Sequence, residues 1–214
     1  MSNYDIRILF LIFIFYSFLG WCYEVIKNLV TSKKMINRGF LIGPWIPIYG
    51  VGAVLMTILL RGFTNNIILL FILCIILFSS LEYVTSFFME KIFHARWWDY
   101  SKKKGNINGR ICIVATIFFG FAGLIAMYYV DPFLVNFFKS TNGTLLTIIT
   151  IILFILFLID SVLSFIIINS LKGTVNEIKK DNTEQITELV KEVLLGKNYP
   201  RRRIVSAFPN ISIK

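Results

Sequence analysis

Five long apolar runs alternate with short polar connections along the chain, at about residues 6–30, 46–61, 67–93, 111–130 and 144–170. A helix crosses the hydrocarbon layer with roughly 20 mostly apolar residues, and these runs have that scale. They are continuous, whereas the strands of a membrane barrel alternate apolar and polar positions. Helices are then the only way for the backbone to satisfy its own hydrogen bonds in lipid. The expected fold is all-α: a polytopic transmembrane bundle of about five membrane helices over residues 1–170. The first run lacks a basic leader and a small-residue cleavage site, and it is too long for the apolar part of a signal peptide. It is expected to remain as a signal anchor.

Beyond residue 170 the pattern changes. Asn182 to Gln185 reads as a capping box, and Ile186, Leu189, Val190, Val193 and Leu194 make one apolar stripe ended by Gly196. Residues 171–214 therefore read as a basic tail with an amphipathic helix at about 183–195, lying on a membrane surface or a partner, followed by Arg201-Arg202-Arg203.

Charges inside the runs are few, which makes their positions informative. Glu24 lies about six residues before the end of the first run, roughly 9 Å inside it at 1.5 Å per residue. Glu82, Ser86 and Glu90 drift little around a helix and form one polar stripe on the third run. Asp160 lies about ten residues before the end of the fifth. Ionisable groups at such depth are costly and usually face a cavity or a partner. The plainer alternatives are a snorkelling carboxylate for Glu24 and a helix–helix hydrogen bond for Asp160. Asp131-Pro132 is expected to end the fourth run, with a short interfacial helix from Phe133 to Phe138 after it.

Two connections carry the chemistry. The first delivers Asn37, Arg38, Gly39, Gly43, Pro44 and Pro47 to the start of the second run. It reads either as an anion cradle of backbone N–H groups or as a tight re-entrant turn with close helix packing. The second runs from Trp97-Trp98-Asp99 through Lys102-Lys103-Lys104 to Asn106 and Arg110. Together Glu24, Asn37, Arg38, Glu82, Asp99, Asn106, Arg110 and Asp160 make a candidate polar vestibule for ligand binding. It suits a zwitterionic or phosphate-bearing ligand, with Mg²⁺ as an optional bridge.

The net charge of +10 belongs to topology. All but Arg7, Arg61 and Lys139 of the 22 lysines and arginines fall on one side if the amino terminus is outside and the carboxyl terminus cytoplasmic. Trp21, Trp45, Trp97 and Trp98 then gather at the same cytoplasmic face as interface anchors. The basic excess faces anionic lipid and argues against nucleic acid. Cys22, Cys74 and Cys112 are an odd, widely spaced set that reads as free thiols, and the lone His94 does not make a metal site.

The first two runs resemble the next two in plan. Each pair has a late Glu beside a Tyr (Tyr23-Glu24, Glu82-Tyr83), a Lys-bearing connection, and Asn with Arg and Gly before the returning helix. Equal direction would make them a parallel repeat about an axis normal to the membrane, a device many transporters use.

Gly20-Trp21-Cys22-Tyr23-Glu24, the stretch Asn37 to Gly50, Leu81-Glu82-Tyr83, Trp97 to Ser101 and Asn106 to Ile111 together resemble a family of bacterial membrane proteins described as "putative ABC-transporter type IV". The resemblance covers about residues 9–125 and implies a permease-like, multi-pass protein of the cell membrane. No GxxxxGK[ST] loop is present, so the ATPase such a permease implies would be a separate subunit. Two other functions stay open from the residues themselves. One is a membrane-embedded enzyme acting on a lipid or lipid phosphate at the cytoplasmic interface, although the chain shows no recognisable catalytic motif. The other is a non-catalytic scaffold or regulator that works through the tail.

Overall fold

The computed structural model describes residues 5–33, 39, 41–93, 95–96, 98–178 and 212–213. Among them the chain is helical: α1 (Ile6–Ser32), α2 (Pro47–Leu59), α3 (Ile67–Phe93), α4 (Ile113–Ile125), α5 (Asp131–Ser140) and α6 (Gly143–Ile178). Two-residue extended segments, Ala95–Arg96 and Ser212–Ile213, pair antiparallel. The amphipathic helix expected at 183–195 lies outside the described residues.

Four helical stretches are long and apolar enough to cross a membrane: Ile6–Thr31, Ile67–Ile92, Ile113–Ser140 and Gly143–Ile166. The bundle thus has a turn end, where Asp5, Arg61–Phe63 and Thr141 lie, and a loop end, where the long connections after α1 and α3 lie. α6 turns most of one side outward, and Ile148, Ile151, Ile155, Leu158 and Val162 are about half exposed. That is the surface a lipid-facing helix presents.

The fourth run does not stop at Pro132. α4 passes through one π-turn, Ala126–Val130, and continues directly as α5 to Ser140. Proline normally breaks a helix because its ring meets the carbonyl four residues back and its N–H is missing. Here the preceding turn is widened, with Asp131 N–H bonding Ala126 O, and Pro132 sits in the first turn of α5, where a donor is not needed. The segment expected as a separate interfacial helix is the end of a single span.

α2 is the short member, 13 residues or about 20 Å against a hydrocarbon layer of about 30 Å. Its start is sunk into the bundle. Ile46 N–H donates to Ser17 O at 2.9 Å, and Ser17 lies about 16 Å from the beginning of α1. The stretch Leu41–Ile46 therefore re-enters the bundle as non-helical backbone. Lipid tolerates that only where protein covers it.

Helix pairs are brought together by small residues. A methyl group at Gly50 would collide with Phe13 O and Ser17 Oγ, and at Gly123 with the Cys74 side chain. α2 is thus laid against α1, and α4 against α3, at backbone distance. Towards the turn end the two pairs enclose apolar clusters, one of Ile8, Leu11, Ile12, Ala53, Val135 and Leu146, the other including Met56, Leu70, Cys74 and Met127. Gly50→Ala is expected to lower stability by about 2 kcal/mol, the cost of overpacking against fixed backbone. Thermal unfolding in detergent checks it; an unchanged midpoint would show that α1 and α2 can part freely. Cys22, Cys74 and Cys112 are free thiols.

Candidate functional site

The carboxylates foreseen as one vestibule fall into separate arrangements. Glu24 and Glu82 come together, Asp160 holds the first re-entrant stretch, and Asp99 stays in an exposed turn with Ser101; Glu90, outside that set, holds the second connection.

Asp160 faces the start of α2. Ile42 N–H donates to its Oδ1 and Gly43 N–H to its Oδ2, both at 3.0 Å, and Ile42 N–H is shared with Ser164 Oγ at 3.0 Å. Ring contacts Phe10–Phe154 and Phe13–Phe157 put α1 and α6 in register, so Asp160 stands at the depth of Ser17. The N–H groups that would cradle an outside anion are bound instead by the chain's own carboxylate. Of the two readings of this connection, the geometry matches the re-entrant turn. Asn37 and Arg38 lie outside the described residues.

The second connection is built around one turn. Asn108 and Gly109 have φ of 53° and 67°, and Arg110 N–H bonds Ile107 O at 3.0 Å. An Asn-Gly pair suits such a left-handed turn, and this was a signal available in the sequence. The turn delivers Arg110, 9% exposed, to α3. One end of its guanidinium donates to Ser86 Oγ at 3.1 Å, and the other meets Glu90 Oε2 at 2.8 Å. The charge also lies over the Tyr83 and Phe87 rings. The polar stripe of α3 thus faces this connection. Trp98 Nε1–H donates to Arg110 O at 2.9 Å, so this indole braces the turn; Trp97 and His94 lie outside the described residues. Asn106 ties the connection to itself, bonding Ser101 O and Lys103 O and accepting from Gly109 N–H. Asp99 is exposed and accepts from the Ser101 N–H and hydroxyl. Trp21 stacks on Phe18, and Trp45 is half-buried.

What remains is a compact site. Tyr49 OH donates to Glu24 Oε1 at 3.2 Å, and Tyr100 OH donates to Glu82 Oε1 at 3.1 Å. Lys27 Nζ lies 3.4 Å from Glu24 Oε1. Glu24 and Lys27 are both within electrostatic reach of Glu82, and Tyr49 and Tyr100 are within reach of one another. Burial, and then the Glu82 carboxylate, hold the Tyr100 phenol well above its usual value, so it stays a protonated donor. Glu82 is 7% exposed, and its Oε2 is buried with no hydrogen-bond partner among the described residues. Each carboxylate takes its tyrosine from the element after it, Tyr49 from α2 and Tyr100 from the second connection. These tyrosines were not singled out in the sequence, because a phenol in an aromatic-rich chain carries no signal until its partner is known.

Two carboxylates are also what a metal would find here. No group of three or more His, Cys, Asp or Glu able to hold a metal occurs among the described residues. A Mg²⁺ bridge would need most of its six oxygen ligands from water or a ligand.

A further polar pair lies towards the turn end and was missed in the sequence. Asp131, 2% exposed, accepts from Thr57 Oγ1–H at 2.7 Å, and Tyr16 and Arg61 are within electrostatic reach of it. The adjacent proline disguised Asp131 as a helix stop.

Fold and site together define a multi-pass helical membrane protein with two neighbouring carboxylates, buried Glu82 and half-buried Glu24, between two helical hairpins. The chain belongs to the family described as "Putative ABC-transporter type IV", whose family model matches residues 11–165. No curated protein and no solved structure matches it.

Proposed function

We propose that the protein is the permease-type membrane subunit of a bacterial transporter. In this reading its loop end is cytoplasmic, in the cell membrane, and its working site is the Glu24–Glu82 pair. The observation that carries the reading is Glu82 Oε2, a carboxylate oxygen buried near a second carboxylate and left without a hydrogen-bond partner among the described residues. An uncompensated charge there costs several kcal/mol, so the group must take a proton, water or a cationic group of a cargo. Neither Asp160 nor Arg110 is available for that role, since each holds a connection in place. The ATPase of such a transporter would dock at the loop end, where Lys102, Lys103 and Lys104 are exposed. Buried polar groups continue past mid-depth to Thr57 and Asp131, which suits a through-path better than an enzyme working at one interface.

The test is purification from native membranes in mild detergent, with mass spectrometry of what accompanies the chain. A stoichiometric nucleotide-binding ATPase is expected; a chain that purifies alone would count against the permease. A binding carboxylate held at the expense of stability also has a signature. Glu82→Gln keeps an acceptor for Tyr100 but removes the charge, and is expected to raise stability by about 1 kcal/mol, or roughly 2–4 °C in Tm. A fall of that size would instead make the carboxylate a structural group.

A further inference from the structure

One face of α3 lies outside the Glu24–Glu82 pair. Ile76, Ser80 and Tyr83 recur there at i, i+4 and i+7, and Tyr83 stands one residue, or about 100°, round the helix from Glu82. A groove of about 570 Å³ runs along this face, bounded on its other side by Ile113 and Thr116 of α4 and by Gly105 and Ile107 of the second connection. Small residues make the hollow: Ser79 and Ser80 on α3, and Gly105, where an added methyl group would strike Ile113. Its rim opens outward, since Ile76, Val84, Ile107 and Ile113 are each about half exposed. From Ile75 to Val84 it follows about 14 Å of α3, and one leaflet of the hydrocarbon layer is about 15 Å deep. The volume falls within the roughly 300–1,000 Å³ of ligand sites.

The mouth of the groove is basic. Tyr100 OH bonds Glu82, eleven residues before Phe93 at the end of α3, so the second connection folds back about 16 Å along the span. Asn108 Nδ2–H donates to Tyr83 OH at 2.9 Å and pins the far end of the same segment to the groove wall. Between these anchors Lys103 N–H bonds Tyr100 O, and Lys102, Lys103 and Lys104 are exposed, the last of them one residue from Gly105. Three ammonium groups are thus held against the side of the span, where lysines snorkel to the phosphates of anionic lipid.

We propose that this groove binds one anionic phospholipid from the leaflet at the loop end, with an acyl chain laid between α3 and α4 and the phosphate met by Lys102–Lys104. This goes beyond the permease reading, since the site uses another face of α3 and stands whether or not an ATPase accompanies the chain. The walls are mostly apolar over the depth of a leaflet, so burial of an acyl chain supplies the affinity, and a soluble phosphate has nothing to fill them with. The lysines then set the preference for a negative headgroup over a zwitterionic one. Arg110 takes no part in it, because Glu90 neutralises that charge. The carboxylate on the same connection, Asp99, accepts from Ser101.

The experiment is native mass spectrometry of the purified, delipidated full chain, titrated with phosphatidylglycerol or with phosphatidylcholine of the same acyl chains. One phosphatidylglycerol is expected per chain, bound at least about tenfold more tightly than phosphatidylcholine. Ser80→Leu fills the hollow and is expected to weaken both lipids about tenfold; Ser80 is exposed, so a folding defect does not confound it. Changing Lys102, Lys103 and Lys104 together to Gln is expected to abolish the preference for phosphatidylglycerol, while Lys139→Gln, exposed at the turn end, keeps it. Glycerol 3-phosphate carries the charge without an acyl chain and is expected not to compete at about a hundredfold excess. Equal affinity of the wild-type chain for the two lipids would overturn the proposal. So would wild-type binding by Ser80→Leu, a preference that survives loss of the three lysines, or displacement by glycerol 3-phosphate, which would make this a soluble-phosphate site. A co-purifying ATPase without any lipid preference removes the lipid site and leaves the permease; the converse removes the permease alone.

Discussion

Replacing Arg110 by alanine is expected to lower the stability of the chain by about 3–5 kcal/mol, the range for breaking a buried ion pair from one side. Arg110 and Glu90 are 11% and 17% exposed at their side chains, so the change removes a cation held against a carboxylate that is largely out of water. Ser86 and the Trp98–Arg110 brace would be disturbed as well, because the same turn positions them. Arg110→Lys is expected to recover only part of the loss. The fork holds Ser86 with one nitrogen and Glu90 with the other, and a single ammonium cannot reach both in that geometry. Thermal unfolding of Arg110→Ala, Glu90→Ala and the double variant settles the matter. The double variant should be markedly more stable than the sum of the single losses, since it leaves no orphaned charge. Strict additivity would mean that the pair does not couple.

Asp160→Ala is expected to cost about 3 kcal/mol, because charge-assisted hydrogen bonds contribute about 1.5–3 kcal/mol each. Ile42 N–H would keep Ser164, but Gly43 N–H would lose its acceptor at the depth of Ser17. The effect should be local first. A cysteine introduced at Ile42 is expected to become reactive to a water-soluble maleimide in the Asp160→Ala background and to stay protected otherwise. Asp160→Asn keeps one acceptor oxygen and should fall between. Equal protection in all three backgrounds would show that the re-entrant stretch is held by packing, with the carboxylate incidental. The two substitutions act on opposite hairpins, so their stability effects should add.

Several of these features were legible before any coordinates. The stripe Glu82, Ser86, Glu90 follows from helical spacing alone, and α3 turns that stripe towards the connection that follows it. Close helix packing was one of two readings of the first connection, and Gly50, just beyond it, is where α2 meets Phe13 and Ser17. Asp160 was recognised as costly, but not as the partner of Ile42 and Gly43, which lie 118 and 117 residues away. Nothing in the local pattern links them. Arg110 was read as a recognition group on the strength of its charge, and that charge is neutralised by Glu90 within the same hairpin. Asp131 was passed over because proline ends most helices, and only the π-turn before it shows why this helix continues.

The sequence by itself determined that this is a helical membrane protein, where its long spans lie, and to which family it belongs. Those properties follow from run length and from motifs contiguous in the chain, since the cost of exposing backbone in lipid acts on each segment separately. Tertiary structure alone decided which carboxylates hold the fold and which one has an oxygen unpartnered among the described residues. A buried charge has no fixed role: its energy depends on the donor a few ångströms away, and helix packing brings that donor from a distant part of the chain.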